Sequence, residues 1–148
     1  MVWVTVFILT NMKTLLTLFV LLFSFSVFAE INLYSDKKFI GCLDCGRYDS
    51  DSICNEYGNY GSKYSSDSVF NEYGTYGSKY SSSSPWNKYS SSDDVPKAID
   101  GQGNFYGYFT INKYRSNSMN ISDDLEDIYE SANGDLEVVR EILCDALS

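Results

Sequence analysis

The residues able to do chemistry in this chain are four cysteines, 20 Asp and Glu side chains and 13 tyrosines. Histidine is absent. No Ser-His-Asp or Cys-His nucleophile can form without it, nor a histidine-ligated zinc or haem. Glycoside cleavage needs only two carboxyl groups about 5 to 10 Å apart. Asp44, Asp49, Asp51, Glu56 and Glu72 qualify by location, but none sits in a signature. The tyrosines suit a different task. Their faces stack on sugar rings, while neighbouring Asn and Ser side chains bond hydroxyls. Tyr60 and Tyr76, which precede Gly61 and Gly77, are read as outward-facing ligand contacts.

The cysteines are Cys42, Cys45, Cys54 and Cys144. An even count in an exported chain favours two disulfides. Cys42 and Cys45 are three apart on an expected strand. Their Cα atoms would then lie about 10 Å apart, beyond disulfide reach. Two pairings remain: Cys42–Cys54 with Cys45–Cys144, or Cys42–Cys144 with Cys45–Cys54. The first is preferred, because the last helix should cover the face carrying Cys45. A zinc site built from all four cysteines lacks a second pair at ribbon spacing, and no βαβ pattern supports a redox motif. No catalytic residue, metal or cofactor is assigned.

Export itself is read from the amino terminus. Residues Leu15 to Ala29 run LLTLFVLLFSFSVFA behind Met12-Lys13-Thr14. A basic start, an apolar run and Val27-x-Ala29 make a signal peptide over 1–29, with Glu30 as the mature terminus. Residues 1 to 11 carry no positive charge, which points to Met12 as the true start. Asn11 and Lys13 interrupt the apolar run, so no stable membrane span is expected after cleavage. The expected location is secreted or periplasmic. The chain's net charge of −9 also excludes nucleic acid as a partner.

A sixteen-residue period organises the middle of the chain. Residues 48 to 64 read YDSDSICNEYGNYGSKY, and residues 64 to 80 read YSSDSVFNEYGTYGSKY. A shorter third copy, YSSSSPWNKYS, spans 80 to 90. Ser84-Pro85 looks like an N-cap followed by N1, and Gly58 and Gly74 look like helix stops. Each unit is therefore expected to be a short helix, with Cys54, Phe70 and Trp86 sharing one inward direction. A second duplication aligns FIGCLDCGRYDSDSI (39–53) with FYGYFTINKYRSNSM (105–119), 66 residues apart. Both follow a strand and a polar turn, the signature of a hairpin. Alternation puts Phe39, Gly41, Leu43 and Cys45 on one apolar face. Further on, Ser122 and Asp135 are expected to cap two helices, the second with Leu136, Val139, Ile142, Leu143 and Leu147 as its apolar stripe.

The expected fold is α+β within one disulfide-stabilised secreted domain, 30–148. It has a small antiparallel sheet from two duplicated hairpins, with short-helix Tyr/Ser/Gly repeats over 48–90 inserted between them. The second hairpin spans 97–119, and an αα-hairpin spans 122–147.

The motifs NEYGNYGSKYS and NEYGTYGSKYS resemble those of small secreted bacterial proteins with repeated Asn-x-Tyr-Gly-x-Tyr-Gly-Ser-x-Tyr-Ser units. The resemblance covers roughly residues 31 to 145 and implies export and a bacterial source, but no chemistry. Two function classes follow. One is a non-enzymatic envelope or extracellular module whose exposed aromatics bind a surface glycan, or another envelope protein. The other is a small carboxylate-dependent hydrolase acting on a cell-envelope polymer.

Overall fold

The computed structural model describes residues 29–147. The expected signal peptide lies outside the described residues, save for Ala29. Among the described residues no helix is long and apolar enough to cross a membrane.

Strands β1 (Ile31–Ser35) and β2 (Lys38–Cys42) form one hairpin, turning at Asp36 with φ 51°. Strands β3 (Lys97–Asp100) and β4 (Phe105–Tyr108) form another. The Asp100 carboxylate holds the second turn, accepting from the backbone N–H groups of Gln102 and Asn104 at 2.9 Å and from the Asn104 amide at 2.8 Å. Those donors keep the Asp100 pKa below its usual value, the Asn104 side chain contributing most. The four strands make one antiparallel sheet in the order β2-β1-β3-β4.

Strict alternation fails in both hairpins. Leu33 pairs with Gly41 but Tyr34 pairs with Phe39, so Ile40 is an extra residue in β2. Ala98 pairs with Gly107 but Ile99 pairs with Phe105, so Tyr106 is extra in β4. Each bulge inverts the faces beyond it. As a result Ile40, Gly41, Cys42 and Leu43 are all buried. The Cys42 N–H donates to Asp51 O and the Ile53 N–H to Cys42 O. The same two bonds recur 66 residues on, from Tyr108 to Asn117 and from Met119 to Tyr108.

No helix forms between residues 48 and 90. The chain there is a series of linked β-turns. The N–H groups of Asn55, Ser65, Ser68, Asn71, Ser81, Ser84, Asn87 and Ser90 each donate to the carbonyl three residues back. The corner side chains add a bond of their own. The oxygens of Ser52, Asn55, Ser62, Ser68, Asn71, Ser84 and Asn87 accept the N–H two residues ahead. This is the bond that resembled an N-cap at Ser84. It ends no orphaned helical turn, because another Ser or Asn competes for the backbone three residues later.

One four-residue step, Gly58 to Ser62 and again Gly74 to Ser78, completes each sixteen-residue coil. The Asn71 amide then closes its coil by donating to Ser65 O at 3.0 Å, and Asn87 donates to Ser81 O at 3.1 Å. Gly77 is needed beside this closure, since a Cβ there would lie 2.0 Å from Asn71 O.

The coils turn one triplet inward: Ser52-Ile53-Cys54, Ser68-Val69-Phe70 and Ser84-Pro85-Trp86 are buried throughout. Trp86 sits at the centre. It meets Phe70 and Phe109 at ring distances of 5.9 Å, stacks on Tyr129 at 5.6 Å, and donates its indole N–H to Val69 O.

Helices α1 (Ser122–Ser131) and α2 (Leu136–Ala146) close the core. Ser122 is the first residue of α1 rather than its cap, and its buried hydroxyl has no partner among the described residues. Asp135 does cap α2, accepting from the N–H groups of Glu137 and Val138. The inward stripe of α2 is Leu136, Val139, Arg140, Leu143 and Cys144, while Ile142 and Leu147 are exposed.

The cysteines pair as Cys42–Cys45 and Cys54–Cys144, overturning both expected pairings. Strand β2 ends at Cys42 and the chain bends through Asp44. That brings the Cα atoms of Cys42 and Cys45 to 5.6 Å, where an extended strand would have kept them apart. With all four sulfurs oxidised, no thiolate remains for zinc.

Three outcomes test this account. Trp86→Ala should lower the unfolding free energy by about 3–5 kcal/mol in a denaturant titration. Asn71→Asp keeps the acceptor to Tyr73 but loses the donor to Ser65, and should cost about 1–3 kcal/mol. Cys54–Cys144 closes a loop across 90 residues and Cys42–Cys45 one across 3. In a chain-entropy account the long link contributes about 4.5 kcal/mol and the short one about 2. Double-serine variants should therefore melt in that order, the long link's variant first.

Candidate functional site: a tyrosine-lined groove

Seven tyrosines point into solvent. Tyr48, Tyr57, Tyr64, Tyr73, Tyr80, Tyr89 and Tyr114 are each 82–90% exposed. An aromatic of that size is normally well covered, so seven together form a surface feature. Each follows a charged residue: Arg47, Glu56, Lys63, Glu72, Lys79, Lys88 and Lys113. The backbone explains the direction. Each of these tyrosines is the third residue of a turn triplet opened by Gly, Asn or Ser, and each coil presents two such triplets outward.

Tyr60 and Tyr76, the expected ligand contacts, lie elsewhere. Both are half-buried and packed against the core. The Tyr60 ring meets Phe39 edge-on at 4.9 Å, and Lys38 sits 5.5 Å from the Tyr76 ring. They belong to the four-residue step, whose extra residue rotates them toward the sheet. The signal that distinguishes them was in the chain: the exposed tyrosines follow a charge, whereas Tyr60 and Tyr76 follow Asn59 and Thr75.

Between the exposed tyrosines and the two helices runs a groove of four adjoining depressions. The first, about 780 Å³, is bounded by Tyr64 and Tyr73 and by the Asn133–Glu137 segment. The second, about 720 Å³, lies between Tyr73 and Tyr80, with Tyr129 and Glu130 opposite. The third, about 440 Å³, lies between Tyr80 and Tyr89 over Trp86 and Ile111. The fourth, about 500 Å³, lies between Tyr89 and Tyr114. Neighbouring depressions share the tyrosine that divides them. A smaller hollow of about 170 Å³ sits apart, between Tyr48 and Tyr57.

Ion pairs tie the coil wall to the helical wall. Lys63 meets Glu137 at 2.7 Å and Lys113 meets Glu126 at 2.8 Å. Both lysine pKa values are raised, chiefly by those hydrogen bonds. Arg47 meets Asp145 at 2.7 Å, and the buried Arg140 meets Glu56 at 3.1 Å. Exposed pairs of this kind contribute little stability. Lysines also flank the rings. Lys63, Lys79, Lys88 and Lys113 lie 5.2, 5.3, 5.6 and 5.8 Å from the centroid of the tyrosine that follows each.

No two of the candidate hydrolytic carboxylates line the same one of these depressions. The Asp44 carboxylate accepts the Ile31 N–H at 2.7 Å, beside the sheet. Glu56 lines the small hollow and Glu72 the groove, so the two do not share a depression. The Tyr57 hydroxyl and then Arg140 hold the Glu56 carboxyl below its usual pKa, which suits a standing anion rather than a proton donor. Glu72 accepts from the Tyr73 hydroxyl and raises that phenol's pKa. Asp49 and Asp51 line none of these depressions.

No family model matches the chain, and no curated protein or solved structure matches it either. What the groove holds must be read from its own chemistry.

Proposed function

We propose that this protein is a non-enzymatic module that binds a linear polysaccharide along the tyrosine row, in an extracellular or periplasmic setting. One observation carries the reading: exposed tyrosines stand at equivalent places in successive coils and divide one groove into a row of depressions. A site that repeats along a line is matched by a ligand that repeats along a line. Sugar polymers do so, and their C–H faces pack on phenol rings while Asn and Ser side chains bond hydroxyls. A turn scaffold tied by two disulfides suits this task, because tyrosine loses little conformational entropy on binding.

Two disulfides also support export, since such links persist in oxidising compartments. We read the two hairpins as copies of one unit and the three runs of turns as copies of another. On its motif alone we place the chain with the secreted bacterial proteins that carry Asn-x-Tyr-Gly-x-Tyr-Gly-Ser-x-Tyr-Ser. The hydrolase reading has less support, because the groove does not bring the candidate carboxylates together.

The test is a triple variant, Tyr73→Ala, Tyr80→Ala and Tyr89→Ala. It should lose retention in affinity electrophoresis through the cell-envelope polysaccharide that binds the parent. Each exposed position should change stability by no more than about 0.5 kcal/mol, so the fold should survive. Undiminished retention of the variant would sink the proposal, as would a parent that binds nothing on a broad glycan array.

A further inference from the structure

This is an acidic chain, with 20 Asp and Glu against 11 Lys and Arg. Most of its cations find a carboxylate. Among the described residues only Lys37, Lys79, Lys88 and Lys97 form no ion pair. Two of those four, Lys79 and Lys88, line the same depression, the third of the groove.

That depression differs from its neighbours. Tyr80 and Tyr89 form its sides, Trp86 and Ile111 its floor, and Tyr129 part of the far wall. Its two acids are Glu126 and Glu130. Glu126 is bonded to Lys113 and only 16% exposed at its side chain, so its charge is compensated. Glu130 stands exposed on the helix. The balance is two unpaired ammonium groups against one uncompensated carboxylate, over an aromatic floor. The other lysines of the groove, Lys63 and Lys113, are held by helix carboxylates. The two ammonium groups lie 5.3 and 5.6 Å from the rings of Tyr80 and Tyr89, so the positive charge accompanies the rings that would contact a sugar.

We infer that the polymer in the groove is an acidic polysaccharide, and that the depression between Tyr80 and Tyr89 is the subsite for its carboxylate-bearing pyranose. This rests on the polysaccharide reading above. The sugar's apolar face meets the aromatic surfaces, and its carboxylate accepts from Lys79 and Lys88 in charge-assisted hydrogen bonds. A neutral ring would make the first contact and not the second. The lysines therefore act on preference between the two polymers, which is a difference of affinities.

The experiment compares uronate-, muramate- and sialate-containing chains on a glycan array with their carboxyl-reduced counterparts. It uses the parent and a Lys79→Gln, Lys88→Gln double variant. Both lysines lie at the surface without an ion pair, and the double variant should melt like the parent. The parent should favour at least one acidic chain over its reduced partner. The double variant should lose about three- to tenfold affinity for that chain, the worth of one or two exposed ion pairs. Its affinity for the reduced chain should not change. A parent that binds only neutral chains, or binds both forms equally, would overturn this inference and leave the polysaccharide reading standing. Equal loss on both forms in the double variant would overturn it too. No binding to any chain would overturn both.

Discussion

The two-ended amide of asparagine holds this structure in shape. Asn71 accepts the N–H of Tyr73 through its oxygen and donates to the carbonyl of Ser65 through its nitrogen. One bond turns the chain locally and the other ties it to a point six residues back. Asn55 and Asn87 do the same in the neighbouring coils. Aspartate cannot make both bonds, since a carboxylate carries no donor. Turn chains without such a closure would have little to offset their conformational entropy.

Everything outside the coils follows from how they stack. Among the described residues few backbone bonds join one coil to the next, so their union depends on the inward triplets. Trp86 is the main link, reaching Val69 with its indole N–H and Tyr129 with its ring face. Because Tyr129 belongs to α1, the same contact positions the helix that forms the far wall of the groove. The Cys54–Cys144 bond fixes the first coil to α2 in the same way. Trp86 thus supports the groove from beneath its third depression, while Cys54 lies at the separate hollow.

A turn scaffold also explains why so much aromatic surface can stay exposed. Strands or helices would pack such side chains against a neighbouring element. A coil of triplets instead has corners, and a side chain at a corner has no neighbour to cover it. The exposed tyrosines therefore add nothing to the core, in which Tyr60 and Tyr76 are partly buried. Surface and core tyrosines differ by position within the coil and not by residue type.

Much of this was legible in the chain itself. The four-stranded sheet, the two helices, the inward Cys54, Phe70 and Trp86, and the cap at Asp135 rest on local patterns, which read directly from sequence. Other features were decided only by tertiary structure. The bulges at Ile40 and Tyr106 depend on pairing with a neighbouring strand, and they reversed the faces that alternation implied. The bend after Cys42 turned an impossible disulfide into the observed one. Ser, Asn and Gly every three residues mimicked helix caps and stops. Whether a helix continued depended on the next competing side chain and on the coil's closure at Asn71. The groove could not be seen at all, because Tyr80 and Tyr89 meet Tyr129 and Glu130 only after the chain between them has folded. Local hydrogen bonding is written residue by residue, whereas which side chains are left uncovered depends on every element that could have covered them.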